Sequence, residues 1–178
     1  ATTGFTMNIK NTGWDAGWGN NPVDINPWAV EASNTIEAKA GHIYTVSFKA
    51  KASKKKYAYV AFNTETEGLL PYDKEPVEMS DDATNQIITL GATDKTYTFT
   101  FTNLVSAKEI TTAIMLGSFN AQYDYAGNDV KDIITEKEVN WNGTVEVSDF
   151  TITDKGVNPE FTEPETKPTQ PSVNPTQP

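Results

Sequence analysis

Apolar and polar residues alternate one by one along much of the chain. The alternation is regular in GFTMNIK (4–10), HIYTVSFKAKA (42–52) and KTYTFTFTN (95–103), and it is looser in WAVEASNTIEA, YAYVAFN, QIITL and ITTAIMLGSFN. A period of two residues places successive side chains on opposite faces of a strand, so it predicts half-buried antiparallel strands. Eight or nine such strands predict an all-β fold, an antiparallel β-sandwich of the jelly-roll type.

The run VNWNGTVEVSDFTIT (139–153) contains two further signals. Asn142-Gly143 lies between alternating residues, which predicts a hairpin with a type I′ turn. The apolar positions then change phase between Val147 and Phe150. One extra residue in a strand has this effect, so we predict a β-bulge near Ser148–Asp149.

The composition changes at residue 157. The segment 157–178 holds six of the ten prolines and very few large apolar residues. Such a segment buries too little surface to offset its chain entropy, and its prolines keep it extended. We therefore predict a β-sandwich domain over residues 1–156 and a Pro/Thr-rich linker over 157–178 that connects it to other domains of the same chain.

The charge distribution argues against several classes of partner. The formal net charge is −10, and all 14 basic residues are lysines. Arginine is the usual residue for phosphate recognition, so nucleic acids and anionic membranes are not expected partners. The KKK run at 54–56 predicts a solvated hairpin tip. No apolar run approaches the roughly 20 residues that span a bilayer, so no membrane insertion is expected.

Residues that could support catalysis are few. Cysteine is absent and His42 is the single histidine, which excludes thiol chemistry and gives a Ser–His–acid site only one possible centre. We predict that the chain is not an enzyme and requires no cofactor, with a small glycosidase using paired carboxylates as the alternative. The oxygen-rich stretches SDDATN (80–85) and DYAGNDVKD (124–132) leave a structural calcium ion open.

Three of the four tryptophans lie in WDAGWGNNPVDINPW (14–28), among Gly, Asn, Asp and Pro. An indole ring matches the C–H face of a sugar, and neighbouring amides and carboxylates bind its hydroxyls. We therefore predict that Trp14 and Trp18 bind a polysaccharide or oligosaccharide. Further candidates in stretches of similar composition are Tyr72, Gln122, Tyr123 and Tyr125. Burial at the edge of the core is the alternative for these rings.

The stretch NPWAVEASNTIEAKAGHIYTVSFKAKAS (26–53) resembles the carbohydrate-binding modules of families 4, 9, 16 and 22. Trp28, Val30 and Glu31 match a W-x-V-Q strand pattern, the run 41–52 matches the following strand, and TVEVSDFTIT is similar to the final strand. The resemblance implies a non-catalytic jelly-roll module and assigns Trp28 and Glu31 to ligand binding. It also places Asp149 where family members often have an acid that supports a structural calcium ion.

The departures from the family pattern shape the expected ligand. Glu31 replaces a glutamine, and Lys56 is the nearest cation where some members use arginine, so we expect the Trp14–Trp18 segment to take over binding. Aromatic residues at loop tips suit the curved chain of starch or another α-glucan. A plant cell-wall β-glycan (xylan, xyloglucan or β-glucan) and a protein partner of a surface scaffold are the alternatives. The TQP repeats resemble ruminococcal linkers, which implies an extracellular or cell-surface location on a bacterium.

Overall fold

Nine strands form two antiparallel sheets in the part of the chain that the structure describes. This computed structural model describes residues 4–12, 27–63, 77–79, 87–103, 109–119 and 131–162. The strands are β1 (Phe5–Ile9), β2 (Glu31–Glu37), β3 (His42–Ala52), β4 (Lys56–Asn63), β5 (Val77–Met79), β6 (Ile87–Leu90), β7 (Lys95–Asn103), β8 (Glu109–Met115) and β9 (Gly143–Val157), and Pro27–Ala29 form one turn of 3₁₀ helix. The predicted all-β sandwich is confirmed.

The core lies between a five-stranded sheet and a four-stranded sheet. The strand order is β1-β9-β3-β7-β5 in the first and β2-β8-β4-β6 in the second. Along β3, alternate residues from Tyr44 to Ala52 are at most 3% exposed. They pack against apolar residues that the four-stranded sheet points inward, among them Val60, Phe62 and Ile114. The apolar positions that alternate along β3 in the sequence therefore face the core, and the residues between them face away from it.

The sandwich has two ends, which we name by one residue each. At the Trp141 end lie the start of β4, the end of β6, the end of β8 and the start of β9. At the Gly41 end lie the turn between β2 and β3, the end of β7 and the start of β8, and the Gly41 N–H donates to the Asn103 carbonyl at 2.6 Å.

The predicted hairpin at Asn142-Gly143 is wrong. A type I′ turn needs a positive φ at both residues, yet the non-glycine residues with positive φ in the described chain are Asn140 and Asp149. The neighbours of β9 are β1 and β3, which are distant in sequence. Trp141 explains the difference, because its ring is buried and its indole N–H donates to the Lys55 carbonyl at 2.8 Å.

The predicted bulge is confirmed. Ser47 pairs with Thr151 and Lys49 pairs with Ser148, so β9 uses three residues where β3 uses two. Asp149 takes up the extra length with φ 53°. Aspartate tolerates this left-handed conformation better than most residues, which explains its position in the bulge.

The predicted hairpin tip at the KKK run is wrong, because β3 and β4 belong to different sheets. Lys54 and Lys55 are exposed as predicted, whereas Lys56 is completely buried. The Lys56 ammonium donates hydrogen bonds to the carbonyls of Tyr57 at 2.8 Å and Gly117 at 2.9 Å, and to the Glu138 carboxylate. Glu138 lies in a different segment, so the local sequence did not reveal this pair. Lys56 is accordingly not a surface substitute for arginine.

The described chain continues past the last strand. The Asn158 N–H donates to the Gly41 carbonyl at 2.8 Å, and the Phe161 ring lies against Gly41, whose φ is 70°. The domain boundary at residue 156 and the linker 157–178 stay predictions, and residues 163–178 lie outside the described part. Within the described residues, no helix has the length and hydrophobicity needed to cross a membrane.

Candidate functional site

A row of side chains crosses the outer face of the four-stranded sheet near the Trp141 end. Met115 of β8 pairs with Glu31 of β2 on one side and with Tyr59 of β4 on the other. Trp28 packs against the same cluster from the 3₁₀ turn. We call Trp28, Glu31, Tyr59 and Met115 the ledge.

Local hydrogen bonds hold Trp28 over this sheet. The Gly117 N–H donates to the Pro27 carbonyl at 2.7 Å, and the Leu116 N–H donates to the Val30 carbonyl at 2.6 Å. The residues on both sides of Trp28 are therefore bound to the chain that continues from β8. These main-chain bonds fix the backbone on both sides of Trp28.

Small residues form the floor of the ledge. Ala61 and Ala113 are each 3% exposed and Met115 is completely buried, whereas Trp28 and Tyr59 are half-buried. Short side chains beneath two rings keep the rings close to the sheet. Trp28 and Tyr59 each keep part of their surface accessible, and aromatic rings suit stacking against the C–H face of a sugar.

Glu31 supplies the polar part of the ledge. Burial raises the pKa of its carboxyl above the ordinary value, and a hydrogen bond with Ser33 opposes the increase. A carboxylate accepts hydrogen bonds at two oxygens, so Glu31 can bind two neighbouring hydroxyl groups. The structure thus brings together Trp28 and Glu31, two of the residues selected from the sequence.

Five other predicted residues lie outside the described part: Trp14, Trp18, Gln122, Tyr123 and Tyr125. The described residues that flank their segments are at the Trp141 end. The Thr12 N–H donates to the Trp141 carbonyl at 2.9 Å, Pro27 is bonded to Gly117 as described above, and Phe119 forms a bridge with Glu138. The described neighbours of both aromatic-rich segments therefore lie at the end that carries the ledge.

Tyr72 also lies outside the described part, and its segment is anchored elsewhere. The flanking residues are Asn63, which pairs with Thr111, and Val77, which pairs with Asn103. These pairs lie toward the Gly41 end. The described anchors therefore place the start and finish of the Tyr72 segment at the opposite end from the ledge.

Asp149, the candidate calcium ligand, lies in the β9 bulge on the five-stranded sheet. Its carboxylate is 2.8 Å from the Lys49 ammonium, which raises the pKa of Lys49. In the described ranges, no three His, Cys, Asp or Glu side chains are arranged to hold a metal ion. The calcium site stays a prediction, and calcium titration of the protein and of Asp149→Asn tests it.

His42 takes part in a hydrogen-bonded cluster with Asp154 and Lys39 at the Gly41 end. Its Nδ1 is 2.8 Å from Asp154 Oδ1, and the Lys39 ammonium is 3.5 Å from Asp154 Oδ2. The hydrogen bond with His42 is the main reason why the pKa of the Asp154 carboxyl is lowered. The cluster connects the start of β3 to the last part of β9.

Sequence reasoning missed Tyr59 and Met115. A signal for Tyr59 was present, because YAYVAFN places Tyr57 and Tyr59 on the face opposite Ala58 and Val60. The register that brings Tyr59 beside Met115 and Glu31 joins three strands from separate parts of the chain. Alternation within one strand carries no information about that register.

Comparison with known proteins gives a structural match only. No protein-family model matches the chain, and no curated protein matches it. A solved structure described as "CBM4 structure and function" is 19% identical with a TM-score of 0.51, and the match covers 75% of this chain. The chain has the fold of a family 4 carbohydrate-binding module. The likeness confirms the predicted jelly-roll type, and the match spans 66% of that structure's own length.

Two further solved structures are more distant. One, described as "PbXyn10C CBM APO", is 14% identical with a TM-score of 0.48, over 89% of this chain and 71% of its own. The other is the N-terminal cellulose-binding domain of β-1,4-glucanase C from Cellulomonas fimi, solved by NMR. It is 15% identical with a TM-score of 0.38, over 70% of this chain and 69% of its own.

Proposed function

We propose that this chain is a non-catalytic carbohydrate-binding module whose ledge binds a neutral polysaccharide. The observation that carries the proposal is the row of Glu31, Met115 and Tyr59 with Trp28 beside it. The two half-buried rings offer stacking surfaces, and the Glu31 carboxylate on the edge strand β2 accepts hydrogen bonds from sugar hydroxyls. Similarity of fold to a CBM4 structure supports the same function.

The dimensions of the ledge favour an α-glucan over a straight β-glycan. The row from Glu31 to Tyr59 crosses three neighbouring strands, a distance of roughly 10 Å. A ledge of that length contacts about two sugar units. A curved α-glucan chain presents such a short arc to a small surface, whereas an extended β-glycan gains most from a longer platform. Starch is therefore the proposed ligand, and xylan, xyloglucan and β-glucan are the alternatives.

The biological setting is proposed from the same function. We place the module outside the cell or on the surface of a bacterium, joined by the linker 157–178 to other domains that act on glycans. Tethering raises the effective concentration of a weakly binding module near its substrate. A neutral glycan carries no charge, so retention by it is expected to change little between low and high salt.

Affinity electrophoresis tests the proposal. We expect the wild-type protein to be retarded in a gel containing amylopectin more than in gels containing xylan, xyloglucan or β-glucan. Trp28→Ala is expected to weaken retardation strongly and Glu31→Ala to weaken it several-fold. Glu37→Ala is the matched control, because Glu37 is on the same face of β2 but at the Gly41 end. Circular dichroism checks that each variant is folded.

Three other outcomes would assign a different site or a different function to the chain. Retardation that persists in Trp28→Ala and Glu31→Ala but disappears in Trp14→Ala or Trp18→Ala moves the site to the segment 13–26. Absence of retardation in every gel favours a protein partner. Release of reducing sugar during long incubation with the same polysaccharides favours a glycosidase and contradicts the non-catalytic assignment.

A further inference from the structure

The sandwich is open along one side within the described part of the chain. The pairing of β1 with β9 runs from Phe5 opposite Val147 to Ile9 opposite Gly143. The rest of β9, as far as Val157, pairs only with β3. On the facing sheet, β2 is the edge strand. The space between the two sheets therefore opens to solvent between β9 and β2.

A cleft of about 350 Å³ occupies this opening. The five-stranded sheet contributes the rings of Phe5 and Phe150, both half-buried. The four-stranded sheet contributes Ala32, Asn34, Thr112 and Ile114. Two aromatic rings on one wall and an amide and a hydroxyl on the other give the cleft one apolar side and one polar side.

Thr112 is the unusual residue of the cleft. It lies on the core face of β8 between Ile110 and Ile114, where an apolar residue is expected. It is 2% exposed, and its hydroxyl has no hydrogen-bond partner among the described residues. The neighbouring Thr111 hydroxyl faces the other side of the sheet and is 2.6 Å from the Thr35 hydroxyl. A buried hydroxyl without a partner is unfavourable, and rotation of the Thr112 side chain toward the cleft would let it pair with a hydroxyl of a ligand there.

The lining restricts the ligand to an uncharged molecule. Among the described residues, no charged side chain lines the cleft, although the chain as a whole has a net charge of −10. Two residues further along β2 and β9, a second cavity of about 680 Å³ is lined by charged residues that include Glu37, Lys39 and Asp154. The neutral cleft is therefore short. Its size is at the small end of ligand pockets, which suits a mono- or disaccharide.

We propose that this cleft is a second glycan site, which holds one or two terminal pyranose units of a neutral glycan. The assignment rests on the proposed function in that the ligand is a carbohydrate, but it uses a different surface. Phe5 and Phe150 face the C–H side of the sugar, while Asn34 and Thr112 hydrogen-bond its hydroxyls. Alternation along β2 places Asn34 on the opposite face from Glu31, so the cleft and the ledge can be occupied together.

Chemical-shift mapping with disaccharides tests the second site. Maltose, cellobiose or xylobiose is added at millimolar concentration to the ¹⁵N-labelled protein. We expect the amides of Phe5, Asn34 and Thr112 to shift. Thr112→Val and Asn34→Ala are expected to abolish these shifts. Thr111→Val is the matched control, because it removes a hydroxyl from the adjacent residue on the other face of β8 and leaves the cleft intact.

The same variants separate a binding defect from a folding defect. Valine has the shape of threonine, so Thr112→Val removes only the unpaired hydroxyl, and its melting temperature without ligand is expected to be no lower than that of the wild type. Cleft shifts that persist unchanged in Thr112→Val and Asn34→Ala overturn the proposal. An absence of cleft shifts in a wild-type protein that is retarded by polysaccharide also overturns it, and leaves the ledge in place. Cleft shifts in a protein that no polysaccharide retards support the cleft and contradict the ledge.

Discussion

Lys56 and Glu138 form a buried ion pair at the Trp141 end. Burial lowers the pKa of the Lys56 ammonium to about 8 and raises the pKa of the Glu138 carboxyl, while their mutual attraction opposes both shifts. The Glu138 carboxylate also accepts the Tyr57 N–H at 3.0 Å. The pair therefore fastens the segment before β9 to the start of β4. Removing one partner leaves the other charge buried alone, which is strongly destabilising.

We predict that Lys56→Met lowers the free energy of unfolding by roughly 3 kcal/mol at neutral pH. The difference from the wild type is expected to widen as the pH rises from about 8 to 10.5. Over that range folded Lys56 has released a proton that the unfolded chain still holds, because its folded pKa is about 8 and its ordinary value is 10.5. Raising the pH therefore favours the folded wild type, and the methionine variant lacks this contribution.

Urea denaturation at several pH values measures both effects. Lys55→Met is the control, because Lys55 is the next residue and pairs with Glu136 at 2.8 Å on the exposed surface. Solvent screening makes such a pair weak, so Lys55→Met is expected to change stability little. A stability difference for Lys56→Met that stays constant between pH 8 and 10.5 would contradict the lowered pKa.

At the level of single elements, the β9 bulge shows how one residue determines the shape of a strand. Asp149 holds φ at 53° and allows β9 to run beside β1 up to Val147 and beside β3 to its end. Most side chains are strained at this φ, and β-branched ones most of all. The bulge also lies next to Phe150, which turns into the cleft between the sheets.

We predict that Asp149→Val lowers the free energy of unfolding by about 1–3 kcal/mol more than Asp149→Gly. Both substitutions remove the carboxylate that pairs with Lys49, so the loss of that ion pair cancels in the difference between them. Glycine has no Cβ atom and therefore adopts a positive φ without steric strain. Thermal unfolding of both variants measures the difference. Equal melting temperatures would show that residue 149 does not need a left-handed conformation.

The strands and the bulge were predictable because they depend on residues that are close in sequence. The alternation of HIYTVSFKAKA and the change of phase near Asp149 are local properties, and the structure confirms both. The burial of Lys56 was not predictable, since its carboxylate partner is 82 residues away. The turn predicted at Asn142-Gly143 is wrong for the same reason, because the neighbouring Trp141 ring is held by the Lys55 carbonyl, 86 residues away in sequence.

The candidate site likewise contains residues that were predictable from local sequence and residues that were not. Trp28 and Glu31 were identified from a short strand pattern, whereas Tyr59 and Met115 join them only through cross-strand register. The unpaired Thr112 hydroxyl is a further example. TTAIM is an ordinary stretch of strand residues, and the missing partner becomes visible only when both sheets are in place.

For the whole molecule, the ledge and the end of the described chain lie at opposite ends of the sandwich. The ledge and the anchors of two aromatic-rich segments are at the Trp141 end, whereas residues 158–162 lie at the Gly41 end. The 11 residues of β3 separate these ends, a distance of roughly 35 Å for an extended strand. The described chain therefore ends at the side of the sandwich away from the ledge, so a domain attached by the proposed linker would be joined at that end.

Phe161 holds this attachment point in position. Its ring lies where a side chain at Gly41 would be, and its N–H donates to the Asn158 carbonyl at 3.0 Å. We predict that Phe161→Ala speeds hydrogen exchange of the Asn158 and Phe161 amides, because the contact with Gly41 is lost. Glu160→Ala is the control, since the Glu160 side chain is exposed. Its main-chain N–H, which donates to the Asn158 side-chain Oδ1, is kept in the variant. Retardation by polysaccharide is expected to be unchanged in both variants, because the ledge is at the other end. Slow exchange in Phe161→Ala would show that the hydrogen bonds hold the segment without the ring, and a loss of retardation would show that the two ends are coupled.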